Sequence, residues 1–183
     1  VVFVDNISEP IYKIKNKNIE ASINSNGYGF FSFGSAFKET IKNTSHNNGL
    51  YVYLDLNEIN LNDIFFDSSD SKSTILKSIK IKSGKFNFLN NTYLNQYFNV
   101  SFKDETIINM VGGSLNGSIN IDKTNFIKVN LNNTRFDFDG IKLAQPNLQS
   151  DINNLSLRFI GKNIRTKDNL IQDVDFYLLK NKN

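Results

Sequence analysis

Few residues in this chain are of the types that carry chemistry. His46 is the only histidine, and it sits in the polar stretch Asn43-Thr44-Ser45-His46-Asn47-Asn48-Gly49. A nucleophile–base pair or a histidine-based metal site needs partners that this stretch does not signal, so the residue reads as a solvated loop histidine. Asp67 and Asp70, with the serines between them, gather oxygens as a hard cation prefers. The run lacks the glycine and distal glutamate of a calcium loop, and it reads as a loop. Asp137 and Asp139 alternate with Phe136 and Phe138, which puts both carboxylates on one strand face. Paired carboxylates can do acid–base work, but beside Asn132 and Arg135 these read as the wet side of a strand. Gly112-Gly113-Ser114-Leu115-Asn116-Gly117 has the glycines of a phosphate loop without the Gly-Lys-Ser/Thr ending. It reads as a hairpin turn followed by a glycine in the next strand. Asn-x-Ser/Thr sequons such as Asn99-Val100-Ser101 are expected by chance at this asparagine content. No acid, base, nucleophile or metal set converges, so the expectation is a non-enzyme with no catalytic residue, metal or cofactor.

The elements themselves are more informative. An apolar residue, two spacers, an apolar residue, one spacer and a third apolar position recur as Leu56-Ile59-Leu61, Leu76-Ile79-Ile81, Leu131-Thr134-Phe136, Ile152-Leu155-Leu157 and Ile171-Val174-Phe176. In a strand the one-spacer step keeps a face and the two-spacer step changes it. The phrase therefore requires a bulge, or a kink with a change of face. Between and around these phrases apolar and polar residues alternate: Leu50-Val52-Leu54-Leu56 against Tyr51-Tyr53-Asp55-Asn57, then Phe98-Val100-Phe102, Leu115-Gly117-Ile119-Ile121, Ile127-Val129-Leu131 and Val174-Phe176-Leu178. That is the pattern of antiparallel strands with one side in water. Turn signals fall at Asn48-Gly49, Ser83-Gly84, Asn90-Asn91, Gly112-Gly113, Asn132-Asn133 and Asp139-Gly140. The reading is a mostly β protein of hairpin repeats in a curved, twisted sheet with an open apolar groove. One short helix is expected over residues 35–43, capped by Ser35, and one helical turn before the polar run Asp67–Thr74. Residues 1–183 form one β-rich domain, with 1–49 a less regular lead-in and 50–183 the repeats.

Composition limits the function classes. The net charge is only +3 and the basic residues are interleaved with acidic ones, so no basic stripe for nucleic acid exists. No run approaches the ~20 apolar residues of a membrane-spanning helix. With no cysteine, redox chemistry says nothing of the compartment. The opening Val1-Val2-Phe3-Val4 reads as that of a mature chain or an excised segment. The 30 asparagines, with abundant Lys and Ile, read as the base composition of an AT-rich genome. What remains is apolar area, including 16 Phe and 7 Tyr, spread over the strands. Its two readings are a closed core and a groove for acyl chains.

The segments Leu54-Asp-Leu-Asn-Glu-Ile-Asn-Leu61, Ile75-Leu-Lys-Ser-Ile-Lys-Ile-Lys-Ser-Gly84, Gly113-Ser-Leu-Asn-Gly-Ser-Ile119, Val129-Asn-Leu-Asn-Asn-Thr-Arg-Phe136 and Pro146–Leu157 resemble the AsmA-like superfamily, most nearly its large YhdP-type and TamB-type members. The resemblance runs from about Tyr51 to Lys180. It implies a segment of a periplasmic, inner-membrane-anchored, bridge-like protein whose apolar groove carries phospholipid in the bacterial envelope. The lining candidates are Leu54, Leu56, Phe98, Val100, Phe102, Leu115, Ile119, Ile121, Val129 and Leu131. The partner implied is a phospholipid or other acyl-chain ligand. The alternative is a structural or adhesive β-repeat domain with a closed core acting through protein–protein contacts.

Overall fold

The computed structural model describes residues 2–5, 11–60, 75–88, 91–124, 126–136 and 156–178. Twelve strands stand in one sheet in the order of the sequence: β1 Val2–Asp5, β2 Ile11–Lys15, β3 Ile19–Asn24, β4 Gly29–Phe33, β5 Leu50–Asn60, β6 Leu76–Phe88, β7 Asn91–Phe102, β8 Thr106–Val111, β9 Gly117–Ile121, β10 Phe126–Asn132, β11 Ser156–Arg165 and β12 Leu170–Leu178. Among the described residues a single five-residue helix, α1 (Lys38–Lys42), interrupts them. The sheet is mostly antiparallel and not closed. β4–β5, β5–β6 and β10–β11 are parallel neighbours, so the chain is not the uniform series of hairpins that alternation suggests. Each parallel step requires a crossover instead of a tight turn. The lead-in is more regular than the recurring phrase indicates, since β1–β4 belong to the same sheet.

Register turns alternation into a surface. One rung takes a residue from every strand: Val2, Ile14, Ala21, Phe31, Val52, Ile79, Val100, Ile108, Ile119, Val129, Phe159 and Phe176. All are apolar residue types. The next rung on that face is Phe33, Leu54, Ile81, Phe98, Met110, Gly117, Leu131, Gly161 and Val174. The rung between them faces the other way and is mostly polar: Ser32, Tyr53, Lys80, Asn99, Asn109, Ser118, Asn130, Ile160 and Asp175.

The recurring phrase has two structural causes. At Leu76-Ile79 it is a bulge: Leu50 pairs with Leu76 but Tyr51 with Ser78, so Lys77 is the additional residue. Elsewhere it is a crease shared by neighbouring strands without loss of register. Leu56 and Ile59 both pack in the apolar cluster although three residues apart, as do Phe86 beyond Gly84 and Tyr93 before Asn95. On the far side Leu131, Phe136, Ile164 and Ile171 do the same around Asn133 and Asn163. Asn95, Asn133 and Asn163 have φ of 51°, 47° and 52°. Asparagine tolerates this left-handed region better than other residues with a Cβ, because its short amide bonds locally. The Asn163 Nδ2 donates to Asn133 Oδ1 at 3.1 Å across β11 and the continuation of β10. At these positions the asparagines are structural, beyond any effect of base composition. Ser83-Gly84 and Asn132-Asn133 are therefore crease residues and not hairpin turns. At Gly84 a Cβ would stand 2.8 Å from the Asn57 carbonyl oxygen, so the close approach of β5 and β6 needs glycine.

The described crossover, residues 34–49, lies over the polar face. Phe37 packs on Tyr53 with ring centroids 5.7 Å apart, and Tyr53 and its register partner Ser32 are buried on a face that is mostly polar. Helix α1 is shorter than the expected 35–43, and Ser35 does not cap it. Instead the Asp55 carboxylate of β5 accepts from the backbone N–H of Ser35 and Ala36 at 3.3 and 3.1 Å. The helical turn expected before Asp67–Thr74 and the phrase at 152–157, apart from Leu157, lie outside the described residues, as do Asp67, Asp70, Asp137, Asp139 and Gly140.

A candidate acyl-binding face

The apolar face is concave where the crease bends it. Ile81 pairs with Phe98, and Phe86 lies five residues further along β6, a distance of roughly 16 Å in an extended strand. The Phe86 and Phe98 ring centroids nevertheless stand 4.8 Å apart. Bending at Gly84 and Asn95 brings the strand ends back over the face. The buried cluster gathers at this bend: Ile59, Phe86, Tyr93, Phe98, Met110, Leu115, Leu131, Phe136 and Ile164. Packed against it, Leu56, Ile81, Ile108, Ile119, Val129 and Phe159 continue the face and are only half-buried. Toward the two sheet edges it opens, and Ile14 and Phe176 are 45% and 48% exposed. Among the described residues no second sheet or helix packs on it, and each strand's main contacts are with its sequence neighbours.

The predicted lining residues separate into two groups. Leu54, Leu56, Phe102, Ile119, Ile121 and Val129 are half-buried on the apolar face. Phe98, Val100 and Leu131 share that face but are buried, and Leu115 is buried in the β8–β9 connection, where it seals the bend. Sequence reading missed Phe31, Ile79, Ile108, Phe159 and Phe176, which lie on the complete rung. Alternation within Phe31-Phe33 and Ile79-Ile81 carried that signal.

The bend also holds buried polar groups. Ser83 and Gln96 are fully buried, and Gln96 Nε2 donates to the Leu115 carbonyl at 2.9 Å. Among the described residues Gln96 Oε1 and the Tyr93 hydroxyl have no hydrogen-bond partner. Burial pushes the Tyr93 phenol up to about 12. In the unfolded chain a tyrosine ionises near ~10, so the folded state disfavours the phenolate. The contribution of this group to stability is fully present below pH ~10 and is lost as pH rises from there to about 12. Tyr93→Phe removes an unpaired buried hydroxyl and is expected to stabilise the fold by about 1 kcal/mol at neutral pH. It should also reduce the loss of stability above pH ~10. Urea unfolding at neutral and alkaline pH measures both effects.

Ionic groups resolved in the structure keep off this face. Arg158 and Asp175, on the opposite face of β11 and β12, form a two-point pair at 2.8 and 3.1 Å, with the guanidinium 4.8 Å from the Tyr177 ring centroid. That hydrogen bond holds the Asp175 carboxyl below its ordinary range. No cluster of metal-ligating side chains occurs among the described residues. His46 is not the solvated residue its neighbours suggest: its Nε2 lies 3.0 Å from the Tyr53 hydroxyl, and its ring packs against Phe30, Tyr51 and Tyr53. The Gly112–Asn116 stretch connects β8 to β9 with Gly117 opening β9, which is a turn and not a phosphate cradle. No helix among the described residues is long and apolar enough to cross a membrane. No family model, characterised protein or solved structure matches the chain.

Proposed function

We propose that this chain is a non-catalytic, acyl-chain-binding segment of a lipid-transfer protein of the bacterial envelope, acting in the periplasm as part of a longer, inner-membrane-anchored chain. The observation that carries this reading is the apolar rung running through all twelve strands on a face that no second layer covers among the described residues. A sheet ordinarily buries its apolar face against another layer, and one left open is a place for an apolar ligand. Each methylene moved from water onto such a face is worth about 0.8 kcal/mol, so ten contribute ~8 kcal/mol before the cost of ordering the chain. Continuity of the rung lets a chain slide from strand to strand without a polar barrier. The pattern-level resemblance to AsmA-like proteins supports the same reading.

The test is native mass spectrometry of the purified protein with extraction of bound lipid, followed by exchange with a fluorescent fatty acid. The wild type is expected to carry phospholipid and to take up the probe. Ile119→Asp, in the half-buried part of the rung, should lower uptake at least about tenfold while the far-ultraviolet β signal is kept. A lipid-free wild type that takes up no probe would contradict the proposal and favour a closed-core domain acting through protein contacts.

A further inference from the structure

A second cleft lies on the opposite, polar face, where the crossover of residues 34–49 meets β2–β4. It is an open cleft with a volume of about 710 Å³, lined by Ser22, Tyr28, Phe30, Ser45, His46 and Asn47, among others. Its chemistry is unlike that of the apolar face. Its wall combines the rings of Tyr28, Phe30 and His46 with neutral hydrogen-bonding side chains. Among the described residues no lysine, arginine, aspartate or glutamate contributes to its wall, in a chain where 21% of residues are charged.

The wall is fixed from behind. The Asn24 Oδ1 accepts from the backbone N–H of Asn26 at 3.1 Å and of Tyr28 at 2.9 Å, which holds the β3–β4 turn. The Gly29 N–H donates to the Gly49 carbonyl at 2.9 Å, tying that turn to the crossover. Tyr51 Oη donates to Asn48 Oδ1 at 2.7 Å. His46 is held by the Tyr53 hydroxyl and by ring contacts at 5.0 Å to Phe30 and 5.1 Å to Tyr51. Burial, and secondarily the nearby Lys80, lower the His46 pKa, so at neutral pH its ring is an uncharged donor–acceptor pair.

We infer that this cleft binds a neutral oligosaccharide. Aromatic faces match the C–H faces of a pyranose ring, while the amides and hydroxyls match its hydroxyl groups in both donor and acceptor sense. A cleft of this size admits two or three sugar units, within the range of small-ligand sites of about 300–1,000 Å³. Among the described lining residues an anionic ligand would find no cation to replace its lost hydration directly. The site is separate from the acyl-binding face and stands or falls independently of it.

Titration of the isotope-labelled full chain with maltotriose, tri-N-acetylchitotriose and, as a charged control, trigalacturonate tests this by amide NMR. At least one neutral trisaccharide is expected to shift the amides of residues 24–30 and 44–48 saturably, with trigalacturonate at least about tenfold weaker. Asn47→Ala, at an exposed position, and His46→Phe should each weaken binding about tenfold, equal to ~1.4 kcal/mol, and leave fatty-acid uptake unchanged. Asn47→Ala alone decides the matter if His46→Phe fails to fold. Absence of saturable shifts with both neutral sugars, shifts unchanged in Asn47→Ala, or equally tight binding of trigalacturonate would overturn the assignment.

Discussion

Phe98→Ala is expected to lower the unfolding free energy by about 3–5 kcal/mol, measured as a shift of the urea midpoint at unchanged slope. Phe98 is only 8% exposed and stands where the crease folds the sheet onto itself. Its register partners are Ile81 and Met110, and its ring meets Phe86 edge-on at 64°. Truncation leaves a cavity between strands whose backbone pairing prevents collapse, so the loss combines transfer and cavity terms. A domain stable by 5–15 kcal/mol gives up a large part of its margin in that one change. Leu94→Ala, on the same strand but 60% exposed, is the control and should change stability by less than about 0.5 kcal/mol.

Gly117→Ala is expected to cost about 2–4 kcal/mol and to loosen β9 against β10. Gly117 opens β9 opposite Leu131 with φ of +151°. An added Cβ would lie 2.0 Å from the Asn130 carbonyl oxygen and 2.9 Å from the Leu131 Cα, both backbone atoms of the paired strand. Neither can move without breaking the ladder, so the strain falls on the register itself. Thermal unfolding gives the cost, and faster amide exchange in β9 and β10 gives its location. Gly113→Ala supplies an internal control, because nothing lies within 4 Å of a Cβ there, and it should be close to neutral.

The residue pattern made the faces legible. Leu50-Val52-Leu54-Leu56 and Phe98-Val100 alternate as they must when one side is apolar, because side-chain direction in a strand has a period of two. Strand direction was not legible: β5 beside β6 and β10 beside β11 show the same alternation whether parallel or antiparallel. The phrase Leu131-Thr134-Phe136 announced a change of face but not its cause. The crease at Asn133 depends on Asn163, thirty positions away, and only the fold brings the two amides together. His46 was misjudged for a similar reason. Its sequence neighbours are polar, whereas the aromatic residues that enclose it come from β4 and β5. The apolar face was legible, and six of the residues expected to line it lie half-buried on it. Phe98 and Leu131 are buried in the cluster at the bend, which no local pattern encodes, while Val100 is buried on the complete rung outside that cluster.

The openness of the apolar face underlies the whole account, and it is measured most directly by thiol labelling. The chain has no cysteine, so Ile119→Cys places a single thiol on the complete rung and Leu94→Cys places one in solvent. In the lipid-free protein the Ile119→Cys thiol is expected to react with a maleimide within about tenfold of the Leu94→Cys rate, without prior unfolding. Added oleate should slow the first thiol and leave the second unchanged. A thiol at position 119 that reacts only as the protein unfolds, and that oleate does not affect, would show that the face is a closed core and contradict the account.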